Sequence, residues 1–207
     1  MTLFHFFSFP LFAVLLVAID FRRNEDNKKL AGYFIKGMAL YIPAFVVFLL
    51  FKAWISVSYN PIYMYLRVFF LDHFFYFIVV IAGFILIQGL DNLERVEFLQ
   101  LAVFSTGFYA VAGVEAILQN TGVYNMYLLF FLPLLRFAII VLSSLLFMKI
   151  FYSFGLLKIG YIVGLFSLSF LAAVVSHLNE IHRTVWAFAI CIIFLVLSFA
   201  IKHFSSE

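Results

Sequence analysis

Apolar runs, each about as long as a bilayer is thick, alternate along this chain with short polar breaks. They cover 3–21, 37–54, 64–88, 98–118, 126–149, 159–176 and 185–202. A helix needs about 20 apolar residues to cross a hydrocarbon core of about 30 Å, so each run predicts one membrane-spanning helix. The breaks carry turn and charge signals: Asp20-Phe21-Arg22-Arg23, Ser58-Tyr59-Asn60-Pro61, Gly89 followed by the charged stretch Asp91 to Glu97, and Gln119-Asn120-Thr121-Gly122. Backbone facing lipid must pair its own N–H and C=O groups, and runs this long are not the short alternating segments of a barrel. The predicted fold class is therefore all-α: a single transmembrane bundle over 1–207 of about seven helices, with no soluble domain.

Composition agrees with that pattern. The 207 residues are 67% hydrophobic and only 11% charged, with a mean hydropathy of +1.16. Soluble domains carry roughly 25% charged residues. The formal charge of +3 does not point to a nucleic-acid partner, because the basic residues follow a membrane rule instead. With seven spans, Arg22, Arg23, Lys28, Lys29, Lys36, Arg95, Lys149, Lys158 and Lys202 fall on one side, against Lys52, Arg67 and Arg183 on the other. Positive charge marks the cytoplasmic face, so the N-terminus is expected outside and the C-terminus in the cytoplasm, in the plasma (inner) membrane of a bacterium. The first run has no basic residue before it, so it reads as a retained helix and not as a cleaved signal. Small residues crowd the fourth run, from Ala102 and Ser105 to Gly113 and Ala116, which predicts a central position, and Gly160-x-x-x-Gly164 is a packing signal in the sixth. The one cysteine, Cys191, has no internal disulfide partner and reads as a small core residue.

Against this apolar background a few residues stand out. Asp72, His73, Glu115 and Arg136 lie inside predicted spans. An ionised group near the bilayer centre costs about 2.5 to 3.5 kcal/mol on insertion scales, so it should face the bundle interior or a water-filled cavity and find a partner. The orientation puts all four in the outer half, with Arg136 one turn below Pro133, where a kink frees the carbonyl of Leu129. The expectation is an outward-opening polar cavity lining a substrate or ion path, in which Arg136 pairs with Asp72 or Glu115. The plainer reading is an ion pair that fixes helix register, with Glu115 snorkelling to water and His73 making a structural hydrogen bond.

The loop between the sixth and seventh runs holds His177, Glu180 and His182. Two imidazoles and a carboxylate suit zinc, and Asp72 or His73 would complete a set. The histidines are five apart, however, and a helical zinc motif spaces them by four on one face. Solvated loop residues are the simpler reading.

By topology alone the chain resembles the sugar-transporting SWEET proteins and the seven-helix rhodopsins. No lysine stands mid-way along the seventh run for retinal and no Pro-Gln pair marks a SWEET-type break, so no family is assigned. Three functions fit: a transporter or channel-like protein for an ion or small polar solute; an accessory subunit bound to a membrane-protein partner or to its own copies; and a membrane-embedded metal-dependent hydrolase at the outer leaflet. The first two stand ahead of the enzyme, since no nucleophile motif or phosphate loop is present.

Overall fold

The structure is a computed structural model; it describes residues 27–54, 60–89, 97–119, 132–180 and 184–205. All regular structure in these residues is helical: α1 (Asn27–Trp54), α2 (Pro61–Gln88), α3 (Phe98–Gln119), α4 (Leu132–Tyr152), α5 (Gly155–Glu180) and α6 (Thr184–Ser205). Five of them, α1 to α5, are long and apolar enough to cross a membrane, and α6 carries a shorter apolar stretch, Val185–Phe194. This is an all-helical bundle of multi-pass membrane type. The expected first span, 3–21, lies outside the described residues.

Helix ends follow local chemistry. α2 begins at Pro61, whose missing N–H costs nothing in a first turn, and the Asn60 side chain caps it by accepting from the Ile62 N–H at 2.9 Å. It ends at Gly89, which takes a φ of 77° that other residues rarely adopt. α1 starts ten residues before Gly37, where the apolar run begins, so Pro43 lies well inside it. Pro133 falls in the first turn of the described part of α4, and Leu129 lies outside the described residues.

α2 is not α-helical throughout. Val68–Phe74 forms a π-helix, closed by the Phe75 N–H on the Phe70 carbonyl. A π turn closes its hydrogen bonds five residues back instead of four, which widens the helix and shifts which residues share a face. Val68 and His73, five apart, are accordingly both buried. This segment is where α5 docks.

Paired contacts show that neighbouring helices alternate in direction. Tyr33 meets Gln88, and Gln88 meets Gln100, so the starts of α1 and α3 lie beside the end of α2. Phe147 near the end of α4 packs on Phe84, 6.3 Å between centroids, and Tyr65 near the start of α2 reaches Phe170 and His177 of α5. α3 is the most buried span, as its small residues predicted. Its polar side chains Ser105 and Thr106 are buried at no cost in orphaned groups, because each donates to a carbonyl of its own helix at 2.7 Å.

The tightest crossing joins α1 to α3. A Cβ on Gly37 would lie 2.0 Å from the Phe104 carbonyl oxygen, and one on Gly107 would lie 2.1 Å from that of Phe34. Each helix thus offers a glycine to the other's backbone. At Gly160, by contrast, an added Cβ meets nothing within 4 Å, and at Gly164 it makes only ordinary contact with Leu146, so Gly160-x-x-x-Gly164 marks no close crossing here. α4 divides the interior into two apolar clusters. Phe137, Ile140, Val141 and Leu145 face α1 to α3, while Leu135, Ala138, Ile139 and Leu142 face α5 and α6.

Candidate functional site

Five helices send polar side chains toward one region of the interior. From α1 comes Tyr41 and from α2 Tyr76, both buried. Their hydroxyls converge on Glu115 of α3: Tyr41 donates a short hydrogen bond to Oε2, Tyr76 donates to the same oxygen at 3.3 Å, and the two hydroxyls are 3.5 Å apart. Glu115, half-buried, is thus tied to two phenols of neighbouring helices. A carboxylate needs donor partners of this kind to be tolerated in an apolar interior.

Arg136 of α4 approaches the same region. It is 5% exposed, and its guanidinium carbon lies 5.5 Å from the centre of the Tyr109 ring, a cation–π contact. Its charge acts on the Tyr76 hydroxyl, on Tyr109 and on the His73 imidazole. Its Nη1 nitrogen is buried with no hydrogen-bond partner among the described residues. His73, inward-facing in the π segment, shares a 2.7 Å hydrogen bond through Nε2 with Ser176 Oγ of α5.

Of the residues singled out from sequence, then, His73, Glu115 and Arg136 gather around Tyr76. Asp72 does not point into this group: it is exposed, on the outer side of α2, although its charge also acts on Tyr76. His177 belongs to the last turn of α5, not to a loop, with its ring edge-on to Tyr65 at 5.6 Å. The Glu180 side chain and all of His182 lie outside the described residues. Among the described residues, no three His, Cys, Asp or Glu side chains are grouped to hold a metal ion.

The sequence reading missed Tyr41, Tyr76, Tyr109 and Ser176. One signal was present: tyrosines favour the interfacial ends of spans, and Tyr76 stands in the middle of the 64–88 run. An apolar floor lies beneath the cluster. The Phe108 ring packs against Tyr41 at 5.3 Å and Tyr76 at 5.7 Å, and Phe84 and Phe104 follow, all three fully buried. Beyond them a second polar layer joins Tyr33 to Gln88 at 2.9 Å and Gln88 to Gln100 at 3.1 Å. The α1–α2–α3 interface thus carries two polar layers separated by three phenylalanines.

Compared with protein-family models, with curated proteins and with solved structures, the chain matches none of them.

Proposed function

We propose that the protein spans the membrane seven times, with its N-terminus outside and its C-terminus in the cytoplasm, and carries an ion or small polar solute through the cluster around Tyr76. The observation that carries this reading is the convergence of Tyr41, Tyr76, Glu115, Arg136 and the His73–Ser176 pair from five helices. Lipid-facing bundles hold ionisable groups at such depth at a cost, and ion or substrate pathways are their usual use. The second polar layer, Tyr33–Gln88–Gln100, extends the polar groups toward the other membrane face, and Phe84, Phe104 and Phe108 close the way between. Supporting the orientation, the alternating helices bring Lys28, Lys29 and Lys36 of α1, Lys149 of α4 and Lys158 of α5 to one end, with Lys52 and Arg67 toward the other.

The test is electrical. Purified protein reconstituted in liposomes on a solid-supported membrane is given jumps of pH, potassium chloride, sodium phosphate and sodium acetate. Transient currents above those of protein-free liposomes are expected for at least one jump, and Glu115→Gln should reduce them by about tenfold or more, equivalent to about 1.4 kcal/mol on a barrier. Currents indistinguishable from protein-free liposomes for every jump would sink the reading.

A second reading, an accessory subunit, has one observation in its favour. Asp72 is exposed within a span, a position that a helix of a partner protein or of a second copy would cover. Gentle extraction followed by mass spectrometry tests it: a partner at fixed stoichiometry supports the subunit, and a chain that runs alone counts against it.

A further inference from the structure

We propose that Arg136 is an anion-binding residue, holding an oxyanion (a carboxylate or phosphate group) between α4 and the Tyr76 cluster. The inference rests on the transport reading and narrows it to the charge of what is bound.

A guanidinium carries five N–H donors in a planar fork and stays charged in proteins. Buried donors are almost always partnered, and an orphaned one within a charged group is among the most expensive arrangements a fold can hold. Arg136 is 95% removed from solvent, and its Nη1 has no acceptor among the described residues. Tyr109 supplies its ring face, which attracts the charge but accepts no in-plane N–H bond. The Glu115 oxygen Oε2 is already taken by the Tyr41 and Tyr76 hydroxyls. What the guanidinium lacks is an acceptor, and an acceptor with two oxygens matches the fork.

A fixed positive charge with an open N–H donor attracts an anion and repels a cation, whose site would need free carboxylate or carbonyl oxygens instead.

The probes are inorganic phosphate and acetate. Purified full-length protein in dodecyl maltoside is heated in sodium phosphate, in sodium acetate and in sodium chloride at equal ionic strength. Phosphate or acetate is expected to raise the unfolding temperature saturably above chloride. Arg136→Gln should weaken that apparent affinity by about tenfold or more, and Arg136→Lys, which keeps the charge without the fork, by less. Phosphatidylglycerol added to phosphate-free protein separates the sources: protection by the lipid alone assigns the oxyanion to a headgroup, and protection by free phosphate or acetate assigns it to a soluble anion. No protection by any of the three, or equal protection in Arg136→Gln, overturns the proposal. Should Arg136→Gln fail to fold, wild-type protein labelled with 15N-arginine is titrated with phosphate and with phosphatidylglycerol, and guanidinium resonances that do not move under either overturn it as well. Currents on pH or potassium chloride jumps in a protein that binds no oxyanion would leave transport standing and remove this site. Oxyanion binding without any current would do the reverse.

Discussion

Glu115 shows how a single carboxylate is made tolerable among phenylalanines. Two phenols from two other helices donate to one of its oxygens, so removing either leaves a partly satisfied acceptor in an apolar interior. Tyr41→Phe is expected to destabilise the protein by about 1–3 kcal/mol, read from unfolding in mixed micelles, and Tyr76→Phe by less, because its hydrogen bond is longer. The two changes share an acceptor, so the double variant should depart from the sum of the singles by about 0.5–3 kcal/mol. Strict additivity would show that the hydroxyls act independently of Glu115. This chemistry was half legible in the sequence. Ionisable residues in an apolar run announce themselves by their cost, which is how His73, Glu115 and Arg136 stood out. Tyrosine raises no such alarm, since its ring is at home in lipid and only the fold says where its hydroxyl points.

At the level of elements, two features decide how the site is assembled. The first is the reciprocal glycine crossing, Gly37 on the Phe104 carbonyl and Gly107 on that of Phe34. The obstacles are backbone atoms, which cannot swing aside as a side chain can. Gly37→Ala or Gly107→Ala should therefore push α1 from α3 and cost about 1–3 kcal/mol, as overpacking does. Gly160→Ala, with open space around it, should change stability by less than about 0.5 kcal/mol. If all three behave alike in thermal unfolding, the close approach is not what holds this pair. The second feature is the π segment, which turns His73 inward and leaves the adjacent Asp72 outward. Counting by 3.6 along the run does not foresee it, because a π turn depends on what docks against the helix, here α5.

For the whole molecule, the charge distribution makes the orientation testable. In a variant whose buried Cys191 is replaced by alanine, single cysteines are introduced as Asn60→Cys and Lys29→Cys. On intact cells a membrane-impermeant maleimide should label the first and reach the second only after permeabilisation. The opposite pattern would invert the proposed topology. The class of fold was determined by the chain alone: long apolar runs cannot remain in water, and in lipid only helices or closed barrels satisfy their backbones, so run length settles all-α. The central place of α3 was legible for a related reason, since small residues permit close approach wherever they occur. Only the tertiary structure decided which polar groups meet. Hydropathy assigns a residue a depth in the membrane but not a direction around its helix axis. That direction is set by packing among several helices at once, by the Gly37–Gly107 contact and by the π turn. Those long-range contacts bring Tyr41, Tyr76 and Glu115 to one point, leave an Arg136 nitrogen without an acceptor beside them and turn Asp72 away.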